Sequence, residues 1–346
     1  MLNSIQILRA IAALFVVFAH FEYIKPTIGG FGVDIFFIIS GFIMAYIVDK
    51  STASFLYRRI IRIVPLYYSM TLLTTGLYLA KPTWFRNVII TPEAIVKSLL
   101  FIPYRIKGSG PILSLGWTLN YEMFFYLAIA IFVTIFKGKK GMIACLTGLS
   151  AFVLISTLFP SDNHMLRFWG GTIVLEFVAG GILFYLWKSK LLFLSKPAKT
   201  AGIVLGFLSL LFLMYADYTT DPYSIRFLLF GIPSFFLAAG FLLLEGRVDS
   251  TNKVHSKMIL LGDSSYAMYL VHPFVIYGFL RLIFVRLSPE GEIYELIGLI
   301  LSMIAVCLVS IAIHKWFEKP VIALLKSFLD KRFDPKKAKL NEKAVI

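Results

Sequence analysis

The first apolar stretch of the chain, IQILRAIAALFVVFAHF from Ile5 to Phe21, carries an arginine, Arg9, and a histidine, His20. In a helix, their separation is roughly three turns plus about 20°, so the two side chains share one face about 16 Å apart along the axis. An ionisable residue within a membrane span costs about 2.5–3.5 kcal/mol on insertion scales. Two on one face predict a polar cavity. The plainer alternative is that Arg9 snorkels to the headgroups and His20 sits at the opposite interface. If a cavity exists, a neutral imidazole at its end has the chemistry of a general base, and a guanidinium that of an anion clamp.

Other polar residues within or beside apolar stretches extend this pattern. FLYRRIIRIVPLYY places Arg59 and Arg62 on one helix face with Arg58 adjacent, which is either a membrane anchor or a phosphate site. Asp34, in GGFGVDIFFIISGF, is either an acid favoured by a helix N-terminus or the group that orients His20. Glu122, in GWTLNYEMFFYLAIAIF, is expected to have a partner or a function, and Glu176, in TIVLEFVAGG, to pair with an arginine. Ser265, Tyr269 and His272 share the segment DSSYAMYLVHPF, where His272 is read as structural, bonding a carbonyl freed by Pro273. Glu318, between lysines in HKWFEKP, is read as a surface pair.

The elements that must position these groups are membrane helices. The chain has 346 residues, of which 59% are hydrophobic, and its mean hydropathy is +0.83. A soluble domain cannot bury that much apolar surface, so the sequence predicts an all-α, polytopic integral membrane protein. Apolar continuity marks ten helices at about 5–21, 33–49, 60–80, 119–136, 142–159, 170–187, 201–216, 225–244, 266–286 and 296–316. Lysines and arginines concentrate in the segments that are cytoplasmic if both termini are inside. The leader MLNSIQ lacks the basic region of a cleavable signal, so the first stretch is expected to remain a span. Residues 81–118 form the longest non-spanning piece. Within it, TPEAIVKSLL predicts a short amphipathic helix capped by Thr91, on the membrane surface or over a cavity.

The net charge of +15 is dispersed in short clusters between apolar runs, which argues against nucleic acid as a partner. The two cysteines, Cys145 and Cys307, lie in apolar runs, and no disulfide framework or metal-ligand spacing is present. Gly-rich phosphate loops, nucleophile elbows, internal repeats and attached soluble domains are likewise not expected.

Six stretches together resemble the membrane-bound acyltransferase family 3, the nodulation and O-antigen acetyltransferase type. They are the Arg9–His20 pair, GVDIFFIISGF at 32–42, RRIIRIVPLYY at 58–68, Trp117–Glu122, SYAMYLVH at 265–272 and WFEKP at 316–320. The wording GWTLNYEMFFY looks most like the branch that O-acetylates succinoglycan-type exopolysaccharides. The resemblance implies an acyltransferase transmembrane domain over residues 1–320 and a basic, partly disordered cytoplasmic tail over 321–346, in a bacterial inner membrane. It implies acetyl-CoA as acyl donor, with no metal, and a carbohydrate hydroxyl as acceptor, on a polysaccharide or a lipid-linked repeat. Membrane lipid and polysaccharide-assembly proteins are the implied partners. The family's Arg–His pair carries over onto Arg9 and His20, its arginine motif onto Arg59 and Arg62, and its fourth-span acid onto Glu122; by placement in the sequence alone, Arg58 joins Arg9, Arg59 and Arg62 as donor-binding groups, and Asp34 or Glu122 is expected to orient the catalytic His20. The extracytoplasmic hydrolase-like domain of many relatives is not expected in this chain. Transfer of another short acyl group such as succinyl is the nearest alternative. A non-catalytic carrier or flippase for a lipid-linked glycan is the alternative from another class.

Overall fold

A computed structural model describes residues 2–21, 28–85, 89–106, 108–191, 195–219, 225–279 and 292–333. These residues form helices and connecting turns, with one isolated bridge between Ile106 and Ser109. The elements are α1 (Asn3–Ala19), α2 (Gly32–Lys50), α3 (Phe55–Ala80), α4 (Pro92–Leu99), α5 (Gly116–Phe136), α6 (Gly138–Leu158), α7 (His164–Trp169) and α8 (Val174–Lys188). They continue with α9 (Lys196–Thr219), α10 (Ile232–Leu243), α11 (Lys253–Asp263), α12 (Ser265–Phe279), α13 (Glu292–Ile313) and α14 (Lys319–Phe333). A π turn, Phe227–Gly231, leads into α10, and a second, His314–Glu318, joins α13 to α14.

Among the described residues, seven helical stretches are long and apolar enough to cross a membrane, or eight if the bent pair α11–α12 is one span. The apolar stretches Asn3–Ala19 and Phe227–Leu243 are shorter. The protein is thus an all-α, polytopic membrane protein. Each of the ten segments expected from sequence falls on a helix, the end of the ninth (280–286) lying outside the described residues. The last departs most: helix continues through the second π turn to Phe333, taking in the first part of the expected tail.

α1 is the inner helix. It packs against α2, α10, α11 and α12 and buries residues on all sides. Its free N-terminal amides are met from another part of the chain, since Glu245 accepts from the N–H groups of Asn3 (2.9 Å) and Ser4 (2.7 Å). A carboxylate there satisfies orphan donors and complements the helix dipole. Close approach of helices depends on small residues, as expected where lipid removes much of the hydrophobic drive to associate. A Cβ on Gly41 of α2 would lie 1.9 Å from the Phe177 carbonyl oxygen of α8, and one on Gly180 would lie 2.0 Å from that of Ile38.

The segment between α3 and α5 is stitched to α3. Thr91 caps α4 by accepting from Ala94 N–H at 3.1 Å, as the sequence predicts. Tyr67 and Tyr68 donate to the carbonyls of Ser98 (3.1 Å) and Leu99 (2.8 Å), so α4 is held about halfway along α3. Phe101 follows with φ of 57°, a left-handed conformation costly for a bulky residue. Its ring packs 4.8 Å from that of Tyr67, which holds it there.

The α2–α8 contact gives a direct test. Gly180→Val forces backbone apart in a packed interface and should lower the melting temperature of the detergent-solubilised protein by roughly 5 °C or more. Gly76→Ala, where a Cβ meets nothing within 4 Å, should leave it essentially unchanged.

Candidate functional site

Five helices, α1, α2, α3, α5 and α12, surround an internal cavity of about 130 Å³. Its polar lining comprises Arg9, Ser40, Arg59, Arg62, Glu122, Thr118, Ser265 and the tyrosines 126, 266 and 269. Phe36, Phe37, Ile39 and Leu119 are among its apolar walls. Three of the expected donor-binding arginines therefore converge, and they share the cavity with the expected acid Glu122. Arg58, one position from Arg59, does not line it.

Two of these charges, Arg9 and Glu122, have hydrogen-bond partners among the described residues. Arg9 is buried and its Nη1 donates to Gln6 Oε1 at 2.9 Å. Gln6 Nε2 donates in turn to Asp263 at the end of α11. The arginine thus points inward through a relay to a carboxylate rather than snorkelling outward. Glu122 accepts from Ser40 Oγ at 2.9 Å. Arg59 Nε is buried without a hydrogen-bond partner among the described residues. Three guanidinium groups against one carboxylate leave the lining with an excess of positive charge, and an unpaired buried donor is a place for an acceptor to bind.

His20 lies at the other end of α1, where it caps the helix. Its Nδ1 is 2.8 Å from the Val16 carbonyl oxygen. A carbonyl can only accept, so Nδ1 carries the proton and Nε2 keeps its lone pair. The ring is outside the cavity lining and meets it through two others. His272 packs edge-to-face on His20 with centroids 4.6 Å apart, and Tyr269, in the cavity wall, lies 6.2 Å from His272. Tyr269 Oη is 2.8 Å from Thr118 Oγ1.

Asp34 is placed differently from the expectation that it orients His20. Its carboxylate receives a two-pronged ion pair from Arg226, with Nε and Nη2 each 2.8 Å away. His20 Nδ1 bonds to the Val16 carbonyl and Asp34 bonds to Arg226, and no hydrogen bond joins the two among the described residues. Asp34 lies in the first turn of α2, the helix-terminal placement that was the other reading. Glu176 is fully buried beside it, and the arginine expected for Glu176 is the one that Asp34 holds. Glu318 is a further correction: only 4% exposed, it pairs with His314 Nδ1 at 2.7 Å instead of lying on the surface. The two side chains are four residues apart, a spacing at which helical neighbours meet. Gln6 and Asp263 had no sequence signal, because the relay joins residues 257 positions apart.

Comparison with known proteins decides the class of chemistry. A family model described as an acyltransferase domain matches residues 2–314. The chain belongs to this acyltransferase family. Its relatives include the exopolysaccharide production protein ExoZ of Rhizobium meliloti (strain 1021), 34% identical over 72% of this chain and 77% of that protein. YrhL of Bacillus subtilis (strain 168), provisionally named a peptidoglycan O-acetyltransferase, is 25% identical over 91% of this chain, but the match spans only 54% of YrhL. Nodulation protein 10 of Rhizobium leguminosarum bv. viciae is 27% identical over 47% of this chain and 53% of its own length. No solved structure matches the chain. The protein is a membrane-bound O-acyltransferase, which sets aside the carrier reading of its intramembrane charges.

Within the acyltransferase, the Asp34–Arg226 pair carries a measurable consequence. Arg226→Ala leaves two buried acids without a counter-charge and should cost about 3–5 kcal/mol. The loss should be read as an earlier thermal transition and a smaller yield of monodisperse protein. Arg226→Gln combined with Asp34→Asn and Glu176→Gln should recover most of it.

Proposed function

We propose that the protein transfers an acetyl group from acetyl-CoA to a hydroxyl of a cell-surface or exopolysaccharide carbohydrate, in a bacterial inner membrane with both termini cytoplasmic. The observation that carries this reading is the convergence of Arg9, Arg59 and Arg62 in one cavity, with a single carboxylate, Glu122, facing them. Coenzyme A is a polyanion with a long thin arm ending in the thioester. The cavity, at about 130 Å³, suits the thin end and not a nucleotide. The arginines then hold phosphate oxygens at its cytoplasmic side, where planar forks give paired hydrogen bonds, and Arg58 adds charge at the same boundary.

His20 supplies the base. With Nδ1–H fixed on the Val16 carbonyl, Nε2 takes the proton of the acceptor hydroxyl as its oxygen attacks the thioester carbon. A guanidinium not engaged by phosphate, or backbone N–H groups, would stabilise the oxyanion. Glu122 anchors Ser40 and balances the arginines between turnovers. Asp34 acts at a distance, by fixing Arg226 and so the start of α2. The names of ExoZ and YrhL support a polysaccharide or peptidoglycan type of acceptor. A polysaccharide chain or a lipid-linked repeat, met at the membrane beside assembly proteins, presents the required hydroxyls. Residues 1–320 are the proposed catalytic membrane domain, a reading supported by the family match over residues 2–314, and 321–346 are an appendage to it.

The test is acetyl-CoA cleavage and acetyl transfer by protein purified into nanodiscs, with acetyl-CoA compared against succinyl-CoA. His20→Ala should lower kcat by about 10²–10⁴-fold. Arg59→Ala and Arg62→Ala should act mainly on the donor, raising its KM by about tenfold each, the scale of a lost charged hydrogen bond. A wild-type protein that neither binds nor cleaves acetyl-CoA in the presence of a glycan acceptor would refute the reading.

A further inference from the structure

Ser265, Tyr269 and His272 follow one another at helical spacing and share a face of α12. The stripe spans the site from end to end. Asp263, just before Ser265, is tied to Gln6, the partner of Arg9, while His272 packs against His20 with ring centroids 4.6 Å apart. Ser265 and Tyr269 both line the cavity. Tyr269 Oη has partners inside the protein, with Thr118 Oγ1 at 2.8 Å and the Leu115 carbonyl oxygen at 3.2 Å. Ser265 is fully buried, and its Oγ has no hydrogen-bond partner among the described residues. Its neighbour Ser264 shows the ordinary solution for a buried helical serine, donating to the Leu260 carbonyl four residues back at 2.6 Å. Ser265 does not use that solution. Alanine would line the cavity equally well without burying an unpaired hydroxyl, so packing does not account for the oxygen.

We propose that Ser265 binds the arm of the acyl donor, its hydroxyl hydrogen-bonding an amide of the pantetheine chain between the phosphates and the thioester. The inference rests on the acetyl-CoA reading above, in which the arginines hold phosphate oxygens. The arm itself is uncharged, and its amides each present an N–H and a carbonyl. A serine hydroxyl can donate to one and accept from the other. Among the lining hydroxyls the competing groups are engaged: Ser40 donates to Glu122, Thr118 and Tyr269 bond to each other, and Tyr266 donates to the Ile63 carbonyl at 2.7 Å. The position of Ser265 fits the task. It lies at the Arg9 end of the stripe, Tyr269 follows one turn on, and His272 lies about 10 Å beyond Ser265 along the helix axis, against His20. An arm running from the arginines toward His20 therefore meets Ser265 first.

The experiment compares wild type with Ser265→Ala in nanodiscs, by titration with CoA, by acetyl-transfer kinetics and by melting curve. Ser265→Ala should raise the Kd for CoA and the KM for acetyl-CoA by about five- to tenfold, the scale of one lost hydrogen bond, with kcat within about twofold of wild type. Its melting temperature without ligand should equal or exceed that of wild type, because the deleted hydroxyl has no partner in the free protein. S-acetylpantetheine, which has the arm but no phosphate, should show the same fold-increase in KM with Ser265→Ala, whereas Arg62→Ala should leave its KM within about twofold. An unchanged Kd for CoA in Ser265→Ala would overturn the inference and leave the acetyl-CoA reading intact. So would an effect confined to acetyl-CoA and absent with S-acetylpantetheine, which would put the hydroxyl on the nucleotide end. A Ser265→Ala protein that melts earlier or fails to fold marks a structural hydroxyl and overturns the inference too. A wild type that neither binds CoA nor cleaves acetyl-CoA would overturn the acetyl-CoA reading and the inference with it.

Discussion

A guanidinium inside an apolar bundle needs acceptors, and the arrangement around Arg9 follows from that constraint. The side chain is buried in the first helix, in a position where snorkelling would take it out of the cavity. Gln6 meets it one turn earlier and passes the interaction to Asp263. That ties α1 to α11, and α1 can bury polar residues such as Ser4 and Gln6 only because α11 lies so close. Gly262 makes this possible, since a Cβ there would fall 1.9 Å from the Gln6 carbonyl oxygen. One buried cation thus dictates a glycine, an amide and a carboxylate on two distant segments.

The same economy appears at the Asp34 cluster. There the carboxylate is the buried group and Arg226 comes to it, with Glu176 close beside. The two clusters differ in purpose. Around the cavity, the positive charges outnumber the carboxylates that line it, which leaves binding capacity for an anion. Around Asp34, two acids meet one guanidinium fork, and that fork is closed by a two-pronged bond. The first set of charges is left open, and the second is closed and holds helices together.

Much of this was legible in the sequence. Apolar continuity located the helices because each had to satisfy its own backbone in lipid. The thermodynamic cost of a charge in such a helix singled out Arg9, Arg59, Arg62 and Glu122, which the fold brings into one cavity. What stayed hidden depended largely on partners far apart in the chain. Asp34 looked equally suited to His20 or to a helix end, and only the position of α10's lead-in, with Arg226, decides between them. His272 looked like a proline accommodation because its backbone bond is local while its contact with His20 spans the whole chain. Glu318 looked exposed because its neighbours are lysines, yet it is buried and pairs with His314 four residues before it.

The bend of 74° between α11 and α12 has a consequence for the geometry of the whole site. Asp263, just before the bend, holds the Arg9 end of α1 through Gln6, and His272, beyond it, touches the His20 end. The first helix and the bent pair therefore act as two rulers laid side by side and pinned at both marks. Sliding one against the other by a turn would break both pins at once. The spacing between the Arg9 and His20 ends of α1 is thus measured twice, by two separate stretches of chain.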